Sequence, residues 1–295
     1  HKDLLKLQNE QILHKMKPIV ADPGLIRFWP QSKWRHTDFE LFSWEYFPSI
    51  LIFDFADYKI QDDFLKRLAF FVEKSGYVGT LMTDEEIANQ HGYNAHDYKA
   101  ESLASFFDTA QKQNFQLNQS ELLLRHILLE NGIIKSEGNK ILPGNGAIIS
   151  LSKQSANYLR NSFLCHEGMH GVFFIDEDYR IYINELFNST DKNSVEFLKA
   201  YFTATPTLNY DINDDYLLKN EFMGYLVQQG VSFTSNYFAN NLATRKGVNE
   251  KFPELCRYIK KTKAQGFVEA AMSLDEYLYN RWGMQTGREW TVYIN

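Results

Sequence analysis

The sequence predicts an α+β fold, with a small sheet followed by a mainly helical C-terminal part. Three observations carry this. Two short apolar runs, residues 49–55 (SILIFDF) and 147–151 (AIISL), are rich in β-branched and aromatic side chains, as buried strands are. Between them, apolar residues recur at three- and four-residue spacing, the period of a helix face. Beyond Asp176 the chain reads as mainly helical, interrupted by loops at 188–190 and 206–215.

At 295 residues and 44% hydrophobic, the chain can build a core without covalent staples. It has two cysteines, Cys165 and Cys256, too few for a disulfide scaffold. The formal net charge is −6, with no block of five or more like charges, so nucleic acid is not an expected partner. No apolar run approaches the roughly 18 residues of a membrane span.

Leu4, Leu5, Gln8, Ile12 and Leu13 suit an amphipathic opening helix, which Pro18, Pro23 and Pro30 break into irregular chain. Trp29, Trp34, Phe39, Phe42, Trp44 and Phe47 then read as an aromatic-rich arm packed across the domain. After the first strand, Phe64, Leu65, Leu68, Phe71 and Val72 place a helix over 60–74. Thr83 and Glu86 form a capping pattern for a short helix ending by Gly92. Further helices are expected over 98–110 and from Asn118, with Glu121 three residues on, to Asn131-Gly132. Pro143-Gly144-Asn145-Gly146 is the clearest punctuation and marks an expected boundary between an N-terminal α/β region (1–142) and a second region (143–295). Ser155 is placed to cap the next helix, which carries Leu159, Phe163, His166 and His170 on one face.

That helix holds the informative motif, His166-Glu167-Gly168-Met169-His170, the pattern H-E-x-x-H. Residues four apart lie one above the other on a helix, so both imidazoles can reach one ion at about 2.0–2.1 Å. Glu167 is rotated by about 100° from His166, beside the ion rather than on it, where it can take a proton from water. With 8 His and 20 Glu in the chain, roughly 0.015 chance matches are expected, so the motif carries information. The bland alternative is a helix with two ordinary histidines and a surface glutamate.

A catalytic zinc site needs a third protein ligand. Glu221, in Asn220-Glu221-Phe222-Met223-Gly224-Tyr225, is the first candidate, on a helix expected over 216–229. Glu185 and Asp176 are the alternatives. A strand, then an H-E-x-x-H helix, then a helix carrying Asn-Glu resembles the zincin metallopeptidases of the gluzincin type, over residues 147–230. The resemblance implies a zincin-like fold, Zn2+ as cofactor, His166, His170 and Glu221 as its ligands, and Glu167 as general base. It implies a peptide or protein substrate laid along the 147–151 strand. It also implies an oxyanion-steadying side chain, for which Tyr225 and, more weakly, Tyr210 are candidates.

Other features have bland readings beside them. The loop 91–98 (HGYNAHDY) can reach a cleft through His96 or Tyr98, or serve as a helix-turn-helix corner. Segment 83–113 has the look of a DNA-reading helix pair, but its acidic residues would repel phosphate. Cys165 reads as a buried structural thiol. Arg281 and Arg288 can hold a carboxylate of substrate, or of the protein itself. A non-catalytic binding protein with a vestigial metal site, its aromatic arm engaging a partner or glycan, stands as the reading from a different class. A zinc amidase or esterase acting on a non-peptide substrate is the third.

Overall fold

The computed structural model describes residues 16–292, so the expected opening helix at Leu4–Leu13 lies outside the described residues. The fold is α+β, and it divides into two compact units, one reaching to Arg160 and taking in Val292, the other spanning Asn161–Thr291. The expected boundary at Pro143–Gly146 lies inside the first unit.

The first unit is built on a mixed sheet of β1 (Ile19–Ala21), β2 (Phe39–Trp44), β3 (Ile50–Phe55), β4 (His96–Lys99) and β7 (Ala147–Ser152), in the order β1-β2-β3-β7-β4. β3 and β7 pair in parallel at its centre, β2 runs antiparallel to β3 and parallel to β1, and β4 runs antiparallel to β7. Every residue of β2, β3 and β7 is buried, which is why β3 and β7 read as mainly apolar runs rather than alternating ones. The aromatic segment read as an arm is therefore in part an interior strand. Phe39 and Leu41 of β2 join Phe53, Phe55 and Phe64 in the core, and alternation sends Phe42 and Trp44 to the opposite face.

α1 (Tyr58–Val72), α2 (Ala100–Lys112) and α3 (Gln119–Glu130) pack together, with α1 also against β3 and β7. Asn118 and Glu121 form the expected capping box of α3. Glu121 also pairs with the buried Arg67 of α1, at 2.9 Å. Segment 98–110 differs from expectation at its start. Tyr98 belongs to β4, whose buried His96 and Tyr98 alternate inward, and the helix begins only at Ala100. The antiparallel hairpin of β5 (Ile134–Glu137) and β6 (Lys140–Pro143) was not foreseen, because five of its eight residues are exposed and only Ile134 and Ile141 are buried, which gives no apolar alternation. After it the chain passes close under its own backbone: a Cβ on Gly144 would lie 2.0 Å from the Gly132 carbonyl oxygen.

α4 (Asn157–Ile175) carries the H-E-x-x-H motif. Its first turn is fixed within the first unit, where Arg160 forks onto the buried Asp54 of β3 at 2.8 and 2.9 Å. Ser155 lies just before the helix, and its hydroxyl meets that of Tyr58 at 2.7 Å.

The second unit is helical: the remainder of α4, α5 (Glu177–Ser189), α6 (Lys192–Ala204), α7 (Asp215–Val227), α8 (Pro253–Lys261) and α9 (Gln265–Trp282), with shorter turns between. α7 packs against α5 and α9. A π-helical segment, Asn236–Asn241, lies between α7 and α8. Among the described residues no helix is long and apolar enough to cross a membrane.

Candidate metal centre

Two helices of the second unit supply the centre. α4 places His166 and His170 one turn apart, with ring centroids 4.6 Å apart and planes at 77°. Asp214 caps the start of α7, its side chain accepting from Leu217 N–H at 3.1 Å. From there Asn220, Gly224 and Gln228 fall on one face by steps of four, with Glu221 beside them.

Glu221 bridges the two rings. Its Oε2 lies 3.5 Å from His166 Nε2, and its Oε1 lies 3.4 Å from His170 Nε2. One donor atom from each of the three residues falls within 4.8 Å of the others. Burial opposes ionisation of this carboxyl, but the two imidazoles outweigh it and hold Glu221 well below the usual carboxylate range. Glu221 Oε2 is buried and makes no hydrogen bond among the described residues.

Each imidazole is oriented through its other nitrogen. His170 Nδ1 lies 2.6 Å from Asn220 Oδ1, and His166 Nδ1 lies 2.9 Å from Gln228 Oε1. An amide oxygen accepts, so both Nδ1 atoms carry the proton when both Nε2 atoms offer lone pairs to the space they share with Glu221. Gly224 lets α7 come this close. A Cβ there would stand 2.9 Å from His166 Cε1 and Nε2, and 3.0 Å from His170 Cε1.

A cleft of about 210 Å³ opens beside the centre, lined by His166, Glu167, Phe163, Tyr210, Tyr225 and Tyr237 among others. Glu167 is thus at the cleft and outside the His166–His170–Glu221 triad. The Tyr225 ring meets that of His166 edge-on at 5.6 Å. Its hydroxyl is hydrogen-bonded to those of Tyr210 and Tyr201. Burial first, and the neighbouring Tyr237 next, push its pKa well above the ordinary phenol value.

The alternative third ligands lie elsewhere. Asp176 caps α5 through Tyr179 N–H at 2.7 Å and takes the Arg281 fork at 2.8 Å from each of two nitrogens. Arg281 is accordingly a structural cation. Glu185 is exposed on α5. His96 and Tyr98, read as possible cleft residues, are buried in the sheet of the first unit. Sequence reasoning missed Gln228, Gly224 and Tyr237. The four-residue ladder from Asn220 was legible beside Glu221, whereas Tyr237 sits on a π-helical segment that no apolar period announces.

Cys165, buried as expected, has the fully buried Glu289 as a polar neighbour. Burial pushes the Glu289 carboxyl up to about 8, the Cys165 thiol opposing the shift. An unfolded glutamate releases its proton near pH 4.5, so the folded state binds more protons between there and about pH 8, and stability falls with rising pH across that window. Glu289→Gln should therefore stabilise the protein by on the order of 4 kcal/mol at pH 8 and by little at pH 4.5. Urea unfolding at both pH values checks this, and an equal shift at each would disprove the neutral buried acid.

Compared with known proteins, the chain matches no family model, no curated sequence and no solved structure.

Proposed function

We propose that this chain is a zinc-dependent hydrolase, a metallopeptidase of the gluzincin type, with His166, His170 and Glu221 as metal ligands. The observation that carries the reading is the convergence of two Nε2 atoms and one carboxylate, at 3.4 and 3.5 Å, between helices α4 and α7. A tetrahedron with bonds of about 2.0–2.1 Å has edges of about 3.3–3.4 Å, so the donor spacing suits zinc. The buried Glu221 Oε2 without a hydrogen bond, the paired Nδ1 acceptors and the notch at Gly224 fit the same ion.

Zinc held there supplies a Lewis acid that polarises a carbonyl and acidifies water. The chain's own residues do the rest. Glu167, at the cleft and outside the triad, takes the proton from the attacking water and passes it to the leaving amine. Asn220 and Gln228 keep both rings turned inward. The cleft, smaller than the roughly 300–1,000 Å³ of pockets that enclose whole ligands, suits one side chain and the adjoining peptide unit.

Equilibrium dialysis of protein prepared without chelators should give about one zinc per chain. The loaded protein should cleave members of a peptide library, chelator should stop it, and added zinc should restore it. A chain that takes up less than about a tenth of an equivalent of zinc would end the metal reading. A loaded chain inert towards every peptide yet active on simple amides or esters would move the substrate class.

Gly224→Ala gives a test with opposed signs. Alanine favours a helix interior by about 1 kcal/mol over glycine, so thermal stability of the metal-free protein should hold or rise. Its methyl would meet both imidazoles, so zinc affinity should fall about tenfold or more. Unchanged affinity would mean that the rings do not need the notch.

A further inference from the structure

Beside the cleft lies the most basic stretch of an acidic chain. Residues 245–263 hold seven basic side chains against Glu250 and Glu254, whereas the whole chain is at −6. All seven are exposed. Lys246 meets Glu250 at 3.8 Å and Arg257 meets Glu254 at 3.4 Å, and the other five are in no ion pair among the described residues. One of these five, Arg245, is held in place. Its Nη1 donates to the hydroxyl of Tyr201, over whose ring the guanidinium sits at 5.4 Å. Its Nε and Nη2 donate to Asn241 Oδ1 at 3.4 and 3.2 Å. Both partners are neutral, so the charge stays uncompensated, and two of the five guanidinium N–H groups remain for a carboxylate. Both partners also adjoin the lining of the cleft. The Tyr201 ring lies 6.2 Å from that of Tyr225, which lines it, and Asn241 closes the π-helical segment that supplies Tyr237 to it. α8, with Arg257, Lys260 and Lys261, packs against the same segment. After Tyr210, another lining residue, the chain carries the exposed Asp211, Asp214 and Asp215. The Tyr237 and Tyr210 parts of the lining thus adjoin charges of opposite sign.

We infer that Arg245, with the basic residues that follow it, forms a subsite for acidic peptide beside the cleft, and that the substrates are polypeptides bearing Asp or Glu on the side of the cut that runs past Tyr237. This names the substrate class of the proposed peptidase; it rests on that reading for cleavage, though not for binding. Arg245 makes the contact, and the lysines around it raise the local concentration of acidic chain and speed encounter. A carboxylate laid past Tyr210 instead meets like charge from Asp211, so the attraction also sets direction. Arg245 is a specificity residue: it attracts the ground state and the transition state alike, so it acts on KM rather than kcat. Other polyanions are drawn to a basic face as well. The acidic remainder of the chain repels an extended anionic surface, and a cation held beside a cleft the size of one side chain suits a short acidic segment.

Binding of a labelled oligo-glutamate peptide to the metal-free protein, followed by fluorescence anisotropy, needs no turnover. The peptide should bind at least about tenfold more tightly than its glutamine counterpart, and the difference should shrink as salt rises from about 50 to about 300 mM. Arg245→Gln should weaken oligo-glutamate about tenfold, and Arg245→Lys, which keeps the charge without the fork, about threefold. Lys260→Gln combined with Lys261→Gln changes two exposed side chains outside the hydrogen bonds of Arg245, and should slow association about threefold. That pair decides the matter if the Arg245 variants do not fold. In a library digest by the zinc-loaded protein, Asp and Glu should be enriched on one side of the cut. Arg245→Gln should raise KM for such peptides about tenfold with kcat within about threefold. Equal binding of the two peptides, or oligo-glutamate binding unmoved by Arg245→Gln and by the lysine pair, overturns the subsite. Arg245-dependent binding that is tighter for phosphatidylserine vesicles or a DNA oligomer than for oligo-glutamate overturns acidic peptide as the partner. Oligo-glutamate binding in a chain that takes up no zinc leaves the subsite standing and ends the hydrolase reading alone.

Discussion

Glu167→Gln should leave zinc bound and lower turnover by about 10²- to 10⁴-fold, the span that a positioned proton carrier contributes. The substitution keeps the shape of the side chain and its place at the cleft, and it removes only the ability to accept a proton. Glu167 follows His166 directly on α4, so helix geometry turns it about 100° away from the ligand direction. His166, His170 and Glu221 bring three donor atoms together without it. Zinc titration and kcat on one peptide from the library digest, measured side by side, check both halves. Turnover within a factor of about three of the parent would remove Glu167 as the base. Loss of zinc together with turnover would place its carboxylate on the ion instead.

The same residue shows how far the sequence could be read. A five-residue motif on a helix specifies directions as well as identities, because the 3.6-residue period fixes where each side chain points. The ring pair and the adjacent carboxylate were legible for that reason. So was Glu221 as first candidate, since Asn220-Glu221 stands on a segment whose own pattern reads as helix. The central strands β3 and β7 were legible because burial on both faces leaves a mainly apolar run.

What stayed hidden was set by tertiary partners. β2 is interrupted by Glu40 and Ser43 and lies among tryptophans that suggested an aromatic arm. Only its pairing with β3 turns Phe39–Trp44 into an interior strand. β4 is four residues long, and Tyr98 belongs to it because β7 offers a partner, not because its neighbours favour extension. Gly224 drew no reading of its own from the sequence. Its use is visible only once α7 meets the imidazoles of α4. Asp176 read as a possible ligand because carboxylates are interchangeable on paper, whereas its oxygens serve the α5 cap and Arg281.

Glu221→Gln should weaken zinc by at least about 10³-fold, beyond the 10- to 100-fold that losing an outer partner costs. Glutamine keeps an oxygen in nearly the same place, so the loss measures charge rather than shape. The parent carboxylate sits 3.4 and 3.5 Å from two nitrogens in a buried setting, where removing the negative charge leaves a divalent ion facing neutral ligands alone. The amide also brings an NH2 group, which repels a cation if it turns inward. Asp176→Asn and Glu185→Gln serve as controls, since one carboxylate is engaged by Arg281 and the other is exposed. Both should bind zinc as the parent does, although Asp176→Asn should unfold at lower urea through the weakened Arg281 pair. Competition against a chelator of known affinity gives all three constants in one experiment. Parent-like zinc binding in Glu221→Gln, with loss in either control, would take the third ligand away from α7 and with it the gluzincin arrangement.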